Sequence, residues 1–262
     1  MSDAFVTAAI TIAALMTLTW LISGAARDAS IVDLIWGLGF VLVAWTVYLT
    51  SRERGSPLVV VLVTLWGLRL STYLAWRNLG KGEDYRYQTM RRQHGERFFW
   101  MSLFTVFGLQ GVLMWLVSLP LQAVVSEAGS AKGWLTYAGI LLWGVGLFFE
   151  TMGDLQLARF KADPTNSGKV MDRGLWRYTR HPNYFGDFCV WWGLYLIALE
   201  AGHWWTIIGP LVMTTLLIKY SGAGLLEKTI GRRRPGYEEY IRRTNAFFPG
   251  PRRQARDAGR EP

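Results

Sequence analysis

Cysteine is almost absent from this 262-residue chain, in which Cys189 is the only one. A single cysteine excludes a disulfide framework and a cysteine-rich metal site, and its position in an apolar run predicts a small buried hydrophobe. The sequence also has no P-loop, HExxH, CxxC or GxSxG motif. The glycines of WGLGF and ILLWGVGLFF lie inside apolar runs and follow no strand. They therefore indicate close helix packing in a membrane, not a Rossmann fingerprint, and no internal repeat is apparent.

Charged residues are scarce, at 18%, and mostly basic, which gives a net charge of +9. Hydrophobic residues make up 51% of the chain, with 14 tryptophans. Soluble domains usually break apolar runs with polar faces. Because the positive charges are kept apart from the aromatic segments, the composition indicates a membrane protein, and no nucleic-acid partner is expected.

Seven apolar runs are long enough to cross a bilayer as helices. They cover approximately residues 4–23, 31–50, 57–76, 102–125, 133–150, 184–200 and 204–222. The first run begins with MSDAFV, which has no positive charge, and it ends without a clean cleavage site. It is therefore interpreted as a span and not as a signal peptide.

The basic residues predict the orientation of these spans. Of the 28 Lys and Arg residues, 24 fall in the alternate segments 24–30, 77–101, 151–180 and 219–262. The positive-inside rule places these segments in the cytoplasm. The sequence thus predicts an all-α integral membrane protein of the bacterial inner membrane, with seven transmembrane helices, the N-terminus outside and the C-terminus cytoplasmic. Residues 1–250 are expected to form one domain, followed by a disordered polar tail at 251–262.

Polar residues at the end of the fifth span form a helical stripe. In FFETMGDLQLARFK, Glu150, Asp154, Leu157 and Lys161 recur at intervals of three or four residues, so one face carries two acids and then a cation. A helix emerging into water would show similar pairs. However, both acids precede the basic loop, where a solvated face is not yet expected, and polar residues at membrane depth are candidates for function.

Two ionisable residues lie inside earlier spans, Asp33 in SIVDLIWGLGF and Arg69 in TLWGLRLSTYLAW. Leaving either one unpaired in lipid costs about 3 kcal/mol or more, so they are either functional or form a structural Asp–Arg pair. The loop NLGKGEDYRYQTMRRQHGERFF has many arginines, as a cytoplasmic anchor would. Its GEDYRY stretch, with an acidic pair beside Arg86 and two tyrosines, is more specific than anchoring requires.

The stretch YTRHPNYFGD stands directly before the sixth apolar run. Pro182 is suited to the first turn of a helix, which places Asn183 and Asp187 at i and i+4 on one face. Arg177, Arg180 and the cluster Arg232–Arg234 are candidates for phosphate contacts. The alternative is a capped helix start with an interfacial basic patch.

TRHPNYFGD, a final span and LLEK…RRPGYEEYIRRTNAFFP together resemble the C-terminal region of the steroid 5-alpha-reductase family. DASIVDLIWGLGF and RNLGKGEDYRYQTMR are similar to its bacterial branch, so that the resemblance covers most of the chain. The RHPNY turn alone is less specific. Sterol C14 reductases, isoprenylcysteine carboxyl methyltransferases and phospholipid methyltransferases carry a similar turn and a similar acidic–aromatic C-terminus.

The resemblance implies NADPH-dependent reduction of an enone in a lipophilic substrate, such as 5-alpha-reduction of a 3-oxo-Δ4-steroid. The cofactor-binding residues that it implies are Asn78, Arg86, Glu150, Asp154, Lys161, Arg173, Arg180, His181, Asn183, Tyr184, Asp187, Glu227 and Tyr237. Glu150 stands where the family often has Asn. The Asn183 side chain suits the nicotinamide amide, because it both donates and accepts hydrogen bonds.

For the substrate end, Asp33 stands where the steroid enzymes have a Glu that polarises the carbonyl. The family's catalytic Tyr position falls at Gly67, so Arg69, Tyr73 and Tyr87 are the candidates to replace it. The catalytic set is therefore Asp33, Arg69 and Tyr87, with no metal. The expected partners are a lipophilic small molecule and membrane lipids, and the protein is expected to be a monomer.

Two alternatives remain open on the sequence. One is a methyltransferase that uses S-adenosylmethionine on a lipid or prenyl-cysteine acceptor. The other is a non-catalytic membrane bundle, such as a transporter or scaffold.

Overall fold

The computed structural model of the chain describes residues 2–127, 133–220 and 236–253. Within these ranges the protein is helical and has no strand, and the isolated backbone bridge pairs Thr179 with Asn245. The predicted all-α class is therefore confirmed. Glu227, the Arg232–Arg234 cluster and the end of the predicted polar tail lie outside the described residues.

Twelve helices can be numbered in the described ranges. They are α1 Ser2–Ala26, α2 Ile31–Leu34, α3 Trp36–Thr50, α4 Pro57–Asn78, α5 Tyr85–His94, α6 Phe98–Ser102, α7 Leu109–Val117, α8 Leu119–Ser126, α9 Trp134–Ala162, α10 Pro182–Glu200, α11 Ile208–Thr215 and α12 Tyr237–Arg243. A π-helical turn, Leu103–Gly108, joins α6 to α7, and a second one, Leu216–Tyr220, follows α11.

Four helical runs are long and apolar enough to cross a membrane, as counted over the described part of the chain. They are Ser2–Ala26, Pro57–Asn78, Tyr85–Val117 and Trp134–Ala162, and shorter apolar helices cover Trp36–Thr50 and Trp204–Lys219. These helices support a membrane protein. The count of seven spans and the orientation of the termini stay predictions.

Several span boundaries differ from those predicted, and the second run is divided at Ile35 between α2 and α3. The fourth apolar run was expected at 102–125, but its helix ends at Val117 and a separate helix begins at Leu119. Pro120 lies in the first turn of α8 and has no N–H to donate to a preceding carbonyl, which explains the break. The fifth helix continues past the predicted end at residue 150 to Ala162.

The chain divides into two compact units. The first contains Met1–Thr136 and Tyr195–Gly209, and the second contains Tyr137–Leu194 and Pro210–Pro262. The prediction of a single domain stays a prediction.

The first unit is built on tight contacts of α3 with α1 and α4. A Cβ atom added to Gly37 would lie 2.5 Å from the Gly67 carbonyl oxygen, so only glycines allow α3 and α4 to approach this closely. On the other side, the Thr11 hydroxyl donates to the Thr46 hydroxyl at 3.1 Å and joins α1 to α3.

The α5 helix folds back along the helix that follows it. Gly95 has φ +56°, a backbone conformation that favours glycine, and it ends α5. Beyond this reversal, the Arg91 guanidinium lies 4.6 Å from the centre of the Phe98 ring, and Gln110 on α7 reaches Tyr87 on α5. The segment that was interpreted as a basic loop is thus a polar helix packed against an apolar one.

In the second unit, α9 and α10 pack through a seam of glycines spaced seven residues apart. A Cβ atom on Gly193 would lie 2.6 Å from the Gly139 carbonyl oxygen, and one on Gly146 would lie 2.5 Å from the Gly186 carbonyl oxygen. The seam ends where Gly153 meets Pro182. Such small residues allow helix backbones to approach closely in a membrane.

Substituting Gly186→Leu is expected to destabilise the protein by about 3 kcal/mol or more, because the new side chain collides with the Gly146 carbonyl and the Glu150 backbone. The measurement is the thermal unfolding midpoint of the detergent-solubilised protein. The matched control is Gly144→Leu on α9, where an added Cβ meets nothing within 4 Å. Equal midpoints for the two variants would mean that the seam tolerates side chains.

Candidate active site

The start of α5 holds Arg86 in a fixed orientation. Asp84 is the N-cap of this helix, and its Oδ1 accepts a hydrogen bond from the Arg86 backbone N–H at 2.9 Å. The same oxygen accepts from Arg86 Nε at 2.9 Å. The far end of the guanidinium is thereby directed away from Asp84.

The Asp33 carboxylate accepts hydrogen bonds from both Arg86 and Tyr87. Arg86 Nη2 donates to Asp33 Oδ2 at 2.7 Å, and the Tyr87 hydroxyl donates to Asp33 Oδ1 at 2.9 Å. The Arg86 guanidinium also lies 5.3 Å from the centre of the Tyr87 ring. Tyr87 itself is buried, at 6% exposure. The structure therefore joins two predicted catalytic residues and one predicted cofactor ligand.

Gln110 completes this group, and the sequence interpretation missed it. Its Nε2 lies 3.4 Å from the Tyr87 hydroxyl oxygen, as a weak donor. Because a tyrosine hydroxyl has one proton, accepting from Gln110 directs that proton to the opposite side, towards Asp33. A lone amide inside an apolar run was the available signal. Asp33, Arg86, Tyr87 and Gln110 are called the acid–tyrosine cluster below.

Glu83 fixes α5 to the segment before α2. Its carboxylate accepts two hydrogen bonds from Arg91, at 2.8 and 3.0 Å, and one from the Ala29 backbone N–H at 2.9 Å. Burial raises the pKa of Glu83, but the bonds from Arg91 and Ala29 outweigh burial and hold the pKa below its ordinary value. Of the acidic pair in GEDYRY, Glu83 thus anchors α5 and Asp84 caps it.

Arg69, Tyr73 and Asn78 are the other predicted residues of the first unit. Asp33 pairs with Arg86 and Tyr87, and Arg69 is not among its partners in the described chain. The Arg69 guanidinium instead lies 5.7 Å from the centre of the Tyr73 ring. Asn78, at the end of α4, accepts a hydrogen bond from Arg77 Nε at 3.1 Å.

In the second unit, the acidic stripe of α9 is buried. Glu150 is 3% exposed and Asp154 is 4% exposed, which does not fit a helix emerging into water. Lys161, the second-last residue of α9, is exposed. Asn183 Nδ2 lies 3.4 Å from Asp154 Oδ1, so that the first turn of α10 contacts the stripe.

The helix α10 begins at Pro182, as predicted. Just before it, the His181 ring stacks on the Tyr184 ring at 5.4 Å and 13°. Asn183 Oδ1 is buried and has no hydrogen-bond partner among the described residues. Buried amide oxygens normally accept a hydrogen bond, so this atom suits a ligand that donates one. Asp187 lies one turn further along α10.

Arg180 binds the C-terminal end of α12. Its Nη1 donates to the carbonyl oxygens of Ile241 and Thr244 at 2.9 and 2.8 Å, at the C-terminal end of α12. Its backbone N–H donates to the Asn245 carbonyl at 2.9 Å. At least part of this guanidinium therefore stabilises the fold, and its predicted phosphate contact stays a prediction.

Further contacts join the same two segments. The Thr179 hydroxyl donates to the Phe247 carbonyl at 2.7 Å, and the Gly250 N–H donates to the Tyr178 carbonyl at 3.1 Å. The rings of Phe188 and Phe247 lie 5.7 Å apart. Together with the Arg180 bonds, these contacts form a clasp between residues 178–181 and residues 241–250, called the C-terminal clasp below.

Tyr237, Arg173 and Arg177 are further predicted residues in the described part of this unit. Tyr237, at the start of α12, is buried, and its ring lies 5.8 Å from that of Tyr240. The Tyr240 hydroxyl donates to the Trp176 carbonyl at 2.6 Å, and burial raises the pKa of this tyrosine. Arg173 and Arg177 are exposed.

Comparisons with known proteins show what the chain is similar to. An uncharacterised protein of Schizosaccharomyces pombe is 26% identical over 268 residues, which cover 88% of this chain and 75% of the relative. A probable O-methyltransferase of Ustilaginoidea virens is 37% identical over 79 residues, which cover 28% of each chain. No solved structure gives a significant match.

A family model described as a protein of unknown function, DUF1295, matches residues 19–244, which include the acid–tyrosine cluster and the buried acids of α9. The bacterial branch of the steroid reductases stays a prediction. The chain belongs to the DUF1295 family, whose members are membrane-associated proteins related to steroid 5-alpha-reductases and methyltransferases.

Proposed function

We propose that this protein is a membrane-embedded reductase that uses NADPH to reduce the carbon–carbon double bond of an enone in a lipophilic substrate. The observation that carries this proposal is the acid–tyrosine cluster, in which a buried hydroxyl is held between Asp33 and Gln110. A hydroxyl with its proton fixed in direction is the kind of donor that stabilises charge on a carbonyl oxygen. The cluster also provides the tyrosine that the family pattern led us to expect at Gly67.

The role of each group follows from its contacts. Asp33 forms a salt bridge with Arg86 and accepts the hydrogen bond of the Tyr87 hydroxyl, so Tyr87 acts as a hydrogen-bond donor. Gln110 donates a hydrogen bond to the Tyr87 oxygen. The Tyr87 proton is therefore left for a substrate carbonyl oxygen that replaces Asp33 as the acceptor. The hydrogen bond strengthens as negative charge develops on that oxygen, and this lowers the barrier to reduction.

The second unit offers residues suited to the cofactor. The buried Oδ1 of Asn183 needs a donor, and the carboxamide of nicotinamide has one. The buried acids Glu150 and Asp154 suit hydroxyl and amine donors of the nucleotide, and the exposed Lys161 suits its phosphates. When bound, NADPH would supply the hydride to the β-carbon of the enone, and a proton from solvent would complete the product at the α-carbon. The chain's own residues orient the cofactor.

A methyltransferase that uses S-adenosylmethionine is the second candidate. The similarity to a probable O-methyltransferase of Ustilaginoidea virens favours it, although that match covers 28% of this chain. Methyl transfer to an oxygen needs a base for the acceptor. The acid–tyrosine cluster suits donation to a carbonyl better, because Arg86 already neutralises its one carboxylate.

The site of action that fits this proposal is the bacterial inner membrane. Seven spans, with the N-terminus outside and the C-terminus cytoplasmic, would give the second unit access to cytoplasmic NADPH. A monomer in contact with membrane lipids is sufficient for the proposed reaction.

Ligand-induced stabilisation distinguishes the candidates. Saturating NADPH is expected to raise the unfolding midpoint of the detergent-solubilised protein by about 5–10 °C, because a ligand that binds the native state stabilises it. S-adenosylmethionine is expected to leave the midpoint unchanged. The reverse pattern would support the methyltransferase, and no shift with either ligand would support a non-catalytic bundle.

A further inference from the structure

An apolar groove of about 530 Å³ lies in the first unit, along two of its candidate membrane helices. One wall runs from Ala9 to Thr17 on α1, and the other runs from Leu103 to Trp115 through the π-helical turn and α7. Thr17 and Trp115 have the polar groups among the lining side chains, and the Trp115 indole N–H donates to the Phe5 carbonyl oxygen at 3.1 Å. This volume is within the range of small-molecule sites.

The groove extends along α1 and is closed on one side by a close approach of α7. The α1 wall extends over about 12 Å at the helical rise per residue. Across it, a Cβ atom on Gly111 would meet Ile12 and Met16 at 3.4 Å, so the two helices nearly touch along one side. The lining residues Ala9, Ala13 and Gly108 have small or absent side chains and leave an elongated space. The length of this wall and the small side chains along it fit an extended hydrocarbon chain.

The π-helical turn Leu103–Gly108 forms one end of the groove. Leu103, Phe104, Phe107 and Gly108, four of its six residues, line the space. A π-turn inserts an extra residue into a helix and is uncommon outside functional sites, because its geometry is less favourable than that of the α-helix. Phe104, within this turn, is 74% exposed.

The groove and the acid–tyrosine cluster share the helix α7. Gln110, which contacts the Tyr87 hydroxyl, is adjacent in sequence to Gly111, which lines the groove. Phe107, one turn earlier, also lines the groove and is fully buried, on the side of the helix towards Gln110. A molecule with a polar carbonyl end and an apolar chain could therefore contact both.

We propose that this groove binds the hydrocarbon chain of the substrate, and that the substrate is an enone carried by an extended, acyclic lipid chain. This inference rests on the proposed reductase function for the identity of the polar end. The chain leaves lipid and not water when it enters the groove, so burial gives little net hydrophobic gain. The groove instead contributes orientation, which holds the carbonyl at Tyr87, and its effect is a preference among substrates.

The test fills the groove with a larger side chain and measures how kcat/KM depends on the chain length of the substrate. Ala13→Phe places a ring in the groove, and the matched control Ala14→Phe makes the same change at a neighbouring exposed position that does not line it. The measurement is kcat/KM with NADPH for a short linear enone, a long linear enone and a 3-oxo-Δ4-steroid. Ala13→Phe is expected to lower kcat/KM for the long enone by about tenfold and to leave the short enone unchanged. The Ala14→Phe variant is expected to behave as wild type.

A second readout does not depend on turnover. A long linear enone with a photoreactive diazirine at the end of its chain is expected to label residues 9–17 and 103–115, and Ala13→Phe is expected to abolish this labelling. Equal kcat/KM values for the two variants, or labelling elsewhere, would overturn the groove as the chain site. A change in thermal stability in lipid without a change in substrate preference would identify a structural bilayer lipid as the occupant and overturn the proposal. Labelling of the groove without any NADPH-dependent reduction would refute the proposed function alone.

Discussion

Replacing Tyr87 by phenylalanine is expected to lower turnover by about a hundredfold or more while NADPH affinity stays within about twofold of wild type. The variant loses only the hydroxyl that lies 2.9 Å from Asp33 and 3.4 Å from Gln110. Removing one preorganised donor to a developing oxyanion costs on the order of 10²–10³ in rate. The phenyl ring still fills the buried position, so folding is expected to be near normal.

The matched control is Tyr85→Phe, two residues earlier on α5. Tyr85 is 60% exposed, and its loss should leave turnover unchanged. Single-turnover rates and NADPH titrations of both variants give the measurement. If Tyr87→Phe turns over as fast as Tyr85→Phe, Tyr87 is not the donor.

Asn183→Ala is expected to weaken NADPH binding by about tenfold, because the carboxamide of nicotinamide then loses its partner in a low-dielectric environment, at about 1–3 kcal/mol. Turnover at saturating NADPH is also expected to fall, since a ring that is free to rotate presents its hydride less often. The measurements are a cofactor titration and a single-turnover rate.

Asn166→Ala provides the control for this change. Asn166 lies in the second unit too, but its amide donates to the Phe160 carbonyl and to Asp163 in a loop. NADPH affinity equal in the two variants would mean that the RHPNY turn only starts a helix. Tighter binding of S-adenosylmethionine to wild type than to Asn183→Ala would assign the turn to the methyltransferase alternative.

Local features were predictable from the sequence because they depend on neighbours along the chain. The start of α10 at Pro182 follows from the fixed φ of proline, and the shared face of Asn183 and Asp187 follows from the helical period. The burial of Glu150 and Asp154 agrees with their position before the basic loop.

Contacts between distant segments could not be predicted in the same way. Asp33 and Tyr87 are 54 residues apart in sequence and meet through a contact between α2 and α5, and the pattern of a basic loop concealed that α5 is a helix. Arg69, which would pair with Asp33 in the structural alternative, has the same charge as Arg86. Charge alone therefore could not show which arginine pairs with Asp33. Arg180 shows the same limit, since its capping of α12 depends on a tertiary contact and not on any local motif.

The C-terminal clasp has a consequence for how the protein is made. The turn at residues 178–181 obtains its carbonyl partners from residues 241–247, so it reaches its native packing only after this late stretch has left the ribosome. A nonsense or frameshift mutation before residue 241 would leave the helices synthesised earlier intact in sequence. It would nevertheless leave Arg180 buried without the carbonyl oxygens that accept its hydrogen bonds. Such alleles should therefore behave as complete loss-of-function alleles, and the truncated chains should be degraded by membrane proteases.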